Sequence, residues 1–151
     1  MRRILVDADG CPVVKIAINL AKEFQVPITL VKNHAHVLED DYAEVVTVDI
    51  TSDSADYYIV NRLSKGDIVI TQDQGLAAMC LGRGAITLNQ NGLVMDHQNI
   101  DGMLSSRHIN RKLRNQGIYT SKPKKRDKSK DQEFEKTLRN ILEDCKNPLL
   151  P

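Results

Sequence analysis

Asp7 and Asp9 stand two residues apart directly behind the apolar run Ile4-Leu5-Val6, and Asp73 stands just behind Ile68-Val69-Ile70-Thr71. Asp53 and Asp56 follow a third apolar run at residues 45–49. They are three residues apart, so a helix starting there carries both on one face of its first turn. Carboxylates drawn into one crevice repel one another, and some are forced to take up protons unless a cation offsets their charge. Mg²⁺ or Mn²⁺ suits a site built only of oxygen ligands. The chemistry that follows is hydrolysis of a phosphodiester, with one ion activating water and another stabilising the leaving oxygen. Asp7, Asp9, Asp53, Asp56 and Asp73 are therefore the expected metal ligands and catalytic residues. Each has a plainer role available. Asp7 and Asp9 suit a turn, Asp53 and Asp73 suit helix caps, and Asp56 suits the positive end of a helix dipole. It is their joint placement that points to chemistry. Ser52, Ser54, Thr71 and Gln72 are candidates for supporting hydrogen bonds, whereas Asp40, Asp41 and Asp49 read as surface residues.

These side chains need a scaffold that brings the ends of several strands together. The hydrophobic pattern predicts strands over 3–6, 27–31, 45–49, 68–71 and 85–88, with helices over 13–24, 55–63 and 74–81 between them. Strands alternating with helices imply a mainly parallel sheet covered on both faces, and such sheets bind ligands at the carboxyl ends of their strands. All of the selected aspartates fall at or just beyond such ends. Asn91-Gly92, between Ile86-Thr87-Leu88 and Leu93-Val94-Met95, predicts a tight type I′ hairpin and an antiparallel edge strand. Ile100, Met103, Leu104, Ile109 and Leu113 predict a helix over 100–116 ended by Gly117. A Pro/Lys-rich basic loop over 118–130, expected to be mobile, precedes a last helix over 131–145 with Phe134, Leu138, Ile141 and Leu142 as its apolar stripe. The expectation is one three-layer α/β domain spanning 1–151.

The net charge of +1 conceals a segregation. Residues 1–106 hold 8 Lys/Arg against 14 Asp/Glu, residues 107–130 hold 10 against 1, and the remainder holds 3 against 5. Clustered Lys and Arg gain affinity for polyanions by releasing counterions from phosphates. Arg107, Arg111, Lys112, Arg114, Lys122, Lys124, Lys125 and Arg126 are thus the candidate nucleic-acid contacts, with RNA as the expected partner. A solvated basic face is the plainer reading. With two Phe and four Tyr, platforms for stacking bases are few, and Tyr57, Tyr58 and Tyr119 are the candidates. The three cysteines, Cys11, Cys80 and Cys145, are widely spaced and form no C-x-x-C pair, which suits a reducing compartment. No signal peptide or bilayer-length apolar run is visible, so a cytoplasmic location is expected.

Several segments taken together carry a resemblance: Asp7-Ala8-Asp9-Gly10-Cys11-Pro12-Val13-Val14, Ser52-Asp53-Ser54-Ala55-Asp56, Gly66-Asp67-Ile68-Val69-Ile70-Thr71-Gln72-Asp73 and Arg83-Gly84-Ala85. With Asn89-Gln90-Asn91-Gly92, Asn99-Ile100 and Leu113-Arg114-Asn115-Gln116-Gly117, they resemble the YaiI/YqxD family of uncharacterised bacterial proteins over residues 1–118. That family is similar in fold to the PIN-like superfamily, whose active members are metal-dependent ribonucleases with clustered aspartates. The resemblance implies a PIN-like domain in which Asp7, Asp53 or Asp56, and Asp73 bind metal, with Asp9 as an added ligand. Relatives are expected to carry a Gly-Pro-rich stretch near residue 122, where this chain has Lys122-Pro123-Lys124-Lys125-Arg126.

Other chemistries compete. Asp7-x-Asp9-Gly10 also resembles the first motif of haloacid-dehalogenase-type phosphatases, in which the first Asp is a nucleophile and the second a general acid/base. That reading wants a Gly-Asp pair after an apolar strand, but Gly66-Asp67 precedes one here, and Cys11 replaces the usual Thr. Cys11 near a helix start suggests a thiolate nucleophile, against the simpler reading of a small buried thiol. His34-x-His36 has the spacing of paired metal ligands but lacks a third. His108, among Arg107, Arg111 and Arg114, fits the basic face. A non-catalytic RNA- or protein-binding module with a degenerate acidic site is the remaining alternative.

Overall fold

The computed structural model describes residues 2–33, 38–49, 54–115 and 125–146, giving the backbone alone for 107–110, 113–115 and 146. Six strands form one sheet: β1 (Ile4–Asp7), β2 (Ile28–Asn33), β3 (Glu44–Val48), β4 (Ile68–Ile70), β5 (Ile86–Leu88) and β6 (Val94–Met95). Their spatial order is β3-β2-β1-β4-β5-β6. The first five strands run parallel, and β6 is antiparallel to β5. The described residues also form five helices: α1 (Val14–Phe24), α2 (Ser54–Arg62), α3 (Gln74–Gly82), α4 (Ile100–Asn115) and α5 (Lys128–Lys146).

Alternation along the strands sorts the core into two layers. Ile4 and Val6 of β1, Ile28 and Leu30 of β2, and Ile68 and Ile70 of β4 pack with Val13, Ala17 and Leu20 at α1 and with Phe134, Leu138 and Leu142 of α5. Leu5, Val31 and Val69 face the other way, onto Ile59 and Leu63 at α2 and Leu76 and Cys80 of α3. Ile100, Met103 and Leu104 then hold α4 against Ala77 of α3 and Met95. The result is the expected three-layer arrangement, with α1 and α5 on one face of the sheet and α2, α3 and α4 on the other. None of the described helices is long and apolar enough to cross a membrane.

The chain builds outward from β1 to β3, then returns to place β4 on the other side of β1. The strand order therefore reverses between β1 and β4, and a crevice opens at their carboxyl ends.

Three expectations are corrected. The β5–β6 hairpin exists, but its connection runs from Asn89 to Leu93 and is not a two-residue type I′ turn. Asn91 does not adopt positive φ, and Gly92 alone in this turn does, at +83°. The Asn89 side chain takes over the turn, its Oδ1 accepting the amides of Asn91 (2.9 Å) and Leu93 (3.0 Å). Second, α5 begins at Lys128, so the last part of the proposed 118–130 loop is helix. Asp131 in its first turn suits the helix dipole. Third, Arg126 is anchored: its Nε, Nη1 and Nη2 donate to Asp131 Oδ1 (2.8 Å), Asn91 Oδ1 (2.9 Å) and the Gln90 carbonyl (2.7 Å). Residues 118–124 and Gly117 lie outside the described residues.

Candidate functional site

Asp7 is the last residue of β1, and alternation puts its side chain on the same face as Leu5, toward α2 and α3. Thr71, buried just past β4, donates its hydroxyl to Asp7 Oδ2 (2.9 Å) and accepts the amide of Asp73 (3.0 Å) at the same oxygen. One hydroxyl thus ties the ends of β1 and β4 together across the reversal. Asp73 caps α3, its Oδ1 accepting the amides of Gly75 (2.8 Å) and Leu76 (3.1 Å). Asp9 turns one oxygen toward β2, where Oδ2 accepts the Asn33 amide at 2.9 Å. Gln72 Nε2 donates to the Gly10 carbonyl at 2.8 Å and closes the rim. Asp7, Asp9, Gly10, Gln72 and Asp73 together line an open depression of about 350 Å³.

The electrostatics show how closely these acids crowd. The Asp7 carboxyl is raised from 3.8 to about 6, chiefly by burial; the Thr71 hydrogen bond works against the rise, while the charges of Asp56, Asp73 and Asp9 add to it. Asp56, in the first turn of α2, is therefore part of the same charge cluster although it does not line the depression. The donor set is all carboxylate, which suits a hard divalent cation. Among the described residues, however, no three Asp, Glu, His or Cys side chains already stand together as a metal-holding group. The caps explain this in part, since Asp73 and Asp9 each commit an oxygen to backbone amides. Asp53, Ser52 and the His34/His36 pair lie outside the described residues.

The basic candidates divide. Arg111 and Lys112 are exposed on α4, and Lys125 is exposed beside α5. Arg107 and Arg114 lie on α4, with their side chains and that of His108 outside the described residues, as are Lys122 and Lys124 entirely. Arg126 serves as a clasp between α5 and the β5–β6 turn, committing three of its five N–H donors to Asp131, Asn91 and Gln90. Cys11 and Cys80 are not activated. Burial pushes Cys11 up, and Cys80 is raised to about 12 chiefly by burial, with Asp56 and Asp7 adding to it, so neither is a thiolate near neutral pH. Asp67 sits at the opposite end of the sheet, before β4, accepting from the Arg3 amide and Nε and from the Ser64 amide. It cannot act beside Asp7.

Sequence reasoning overlooked two residues at the end of β2. Lys32 is buried and Asn33 supplies the amide that holds Asp9. Lys32 is the one charged residue in the strand Ile28–Asn33, a visible signal that something polar lies at that end.

Comparison with known proteins supplies the relationship. A family model described as an uncharacterized BCR, YaiI/YqxD family, matches residues 5–144. The chain belongs to that family. Its YaiI/YqxD relatives include a UPF0178 protein of Ruminiclostridium cellulolyticum, 47% identical over 136 residues and covering 90% of this chain and 89% of that protein. Another, from Natranaerobius thermophilus, is 45% identical and covers 96% of this chain and 99% of that protein. Among solved structures, a point mutant of Rae1 (YacP) from Bacillus subtilis is similar over 96% of this chain and 99% of that one, at 16% identity and a TM-score of 0.44.

Proposed function

We infer that this YaiI/YqxD protein is a divalent-metal-dependent nuclease that hydrolyses phosphodiester bonds, with RNA as its substrate. The observation that carries this reading is geometric: Asp7, Asp9 and Asp73 line one depression at the reversal point of the sheet, with the half-buried Asp7 carboxyl held by Thr71. A site that gathers negative charge at the ligand-binding end of a parallel sheet is suited to a cation. Asp7, Asp9, Asp56 and Asp73 would hold Mg²⁺ or Mn²⁺, which when bound supplies an activated water and charge stabilisation at the phosphate. Thr71 fixes the orientation of the Asp7 carboxylate, and the open depression admits a polymer backbone. The exposed Arg111, Lys112 and Lys125 supply attraction for the polyanion. The resemblance to the PIN-like superfamily through the clustered aspartates supports the same chemistry.

A dehalogenase-type phosphatase is a poorer fit, because Asp67 is held by Arg3 and Ser64 on the far side of the sheet. A non-catalytic RNA-binding module is favoured by one observation, the absence of a ready three-ligand group among the described residues.

Calorimetric titration with Mn²⁺ of metal-free wild type, Asp7→Asn and Asp73→Asn tests the assignment. Binding to wild type that is lost in both variants is expected, with metal-dependent RNA cleavage reduced about 10²–10³-fold, the scale on which a preorganised electrostatic group acts. RNA binding that survives both substitutions, with no metal-dependent cleavage by wild type, would overturn it in favour of the binding module. A trapped aspartyl-phosphate would favour the phosphatase.

A further inference from the structure

A second concavity lies at the β3 edge of the sheet. Between the end of β3 and α2 lies an open groove of about 380 Å³, lined by Val48, Asp49, Ser54, Tyr57, Tyr58 and Asn61. Its two aromatic rings are placed very differently. Tyr58 packs against the α2–α3 core layer and carries the Arg62 guanidinium over its face, 3.8 Å from the ring centre. Tyr57 is 66% exposed, more than any other exposed large hydrophobic residue among those described.

We propose that this groove is a nucleobase subsite, in which Tyr57 stacks on a base next to the phosphate held at the acidic cluster. The proposal rests on the nuclease reading for its occupant, a single-stranded polynucleotide. Three features support it. The groove and the acidic cluster share an element, because Asp56 and Tyr57 stand side by side in the first turns of α2 and Tyr57 lines the groove. It is also at a suitable distance. β3 lies two strands from β1, so their carboxyl ends are separated by roughly 10 Å at ~4.8 Å per strand, a short step along an extended strand. Finally, its chemistry is mixed in the way a base requires. A tyrosine face provides stacking, the Asn61 amide lines the same groove, and Arg62 places positive charge over the face of Tyr58. A duplex would keep its bases stacked on one another, so the subsite selects unpaired strands.

The test measures binding without cleavage. A short single-stranded RNA with phosphorothioate linkages, which resist hydrolysis, is titrated with the full chain in Mn²⁺ and followed by fluorescence anisotropy. A matched strand with abasic sites is titrated alongside it. Wild type is expected to prefer the base-containing strand. Tyr57→Ala should weaken that strand about 10-fold while leaving the abasic strand unchanged, since stacking is lost with the ring. Tyr57→Phe keeps the ring and should retain the preference. The proposal is overturned if Tyr57→Ala weakens both strands equally, if it weakens neither, or if wild type does not distinguish them. Metal-dependent turnover of ordinary RNA is scored separately, so loss of the subsite leaves the nuclease reading standing. Absence of turnover with the base preference intact would remove the nuclease and keep the subsite. Thermal unfolding of each variant verifies that the exposed ring is not a folding determinant.

Discussion

Asp7 carries a consequence that can be measured without any substrate. Its carboxyl is raised to about 6 in the fold, against an ordinary value near 3.9 in the unfolded chain. Below both values it is neutral in either state and contributes nothing. As pH rises from about 4 to 6 the native state holds the proton more tightly than the unfolded state, so stability falls; above 6 the whole cost of the half-buried charge is present. Asparagine keeps the acceptor for the Thr71 hydroxyl and removes the charge. Asp7→Asn is therefore expected to stabilise the metal-free protein at pH 8 by about 1–3 kcal/mol, raising Tm by several degrees. The gain should vanish near pH 3.5. Saturating Mn²⁺ should reverse the order, because only wild type gains stability from the ion. Thermal scans in EDTA and in Mn²⁺ at the two pH values settle it, and a variant less stable than wild type at pH 8 in EDTA would refute the charge argument. Asp7 was legible in the sequence because a carboxylate directly behind a buried strand has few purely structural duties. Thr71 was harder to single out, since threonine is common in turns and its double hydrogen bond appears only when β1 and β4 lie side by side.

The elements themselves were largely legible, because each buried strand is a short apolar run bounded by polar turns. What escaped was set by partners distant in sequence. Arg126 read as one more basic residue, but its acceptors Gln90 and Asn91 lie more than thirty positions away and meet it only once α5 docks. The Asn91-Gly92 signal was correct for a hairpin and wrong for its length, because Asn89 caps the turn and α5 approaches Gly92 from outside. A β-carbon built on Gly92 would meet the Glu133 carbonyl oxygen at 2.7 Å, and its φ is +83°. Gly92→Ala should therefore cost about 1–3 kcal/mol through strain and displacement of α5. Gly82, at the end of α3, has nothing within 4 Å of its added carbon. Gly82→Ala should be neutral or stabilise by up to ~1 kcal/mol. Chemical denaturation of the two variants compares them directly, and equal stability would mean that α5 is not seated on the turn.

Across the whole molecule, Asp7, Asp9, Asp56 and Asp73 gather near the carboxyl ends of the strands, while Arg111 and Lys112 are exposed on α4 and Lys125 is exposed just before α5. α4 packs on α3 through Ile100, Met103, Leu104 and Ala77, and α3 begins directly after Asp73. The basic helix is thus mounted on the same element that presents one of the acidic residues. If the proposed polyanionic substrate binds, Arg111 and Lys112 are expected to attract it and offset the repulsion of the acidic cluster. The attraction is electrostatic and should show in salt dependence. For single strands the slope of log K against log salt is about −0.7 per phosphate neutralised. Replacing Arg111 and Lys112 together with Ala should then flatten the slope by about 1.4 if each contacts one phosphate. Affinity at low salt should fall for every RNA sequence alike, since backbone contacts carry no sequence information. Titrations across a salt series, with wild type and the double variant, measure this. An unchanged slope would separate the charge on α4 from substrate binding and leave the polyanion to dock elsewhere.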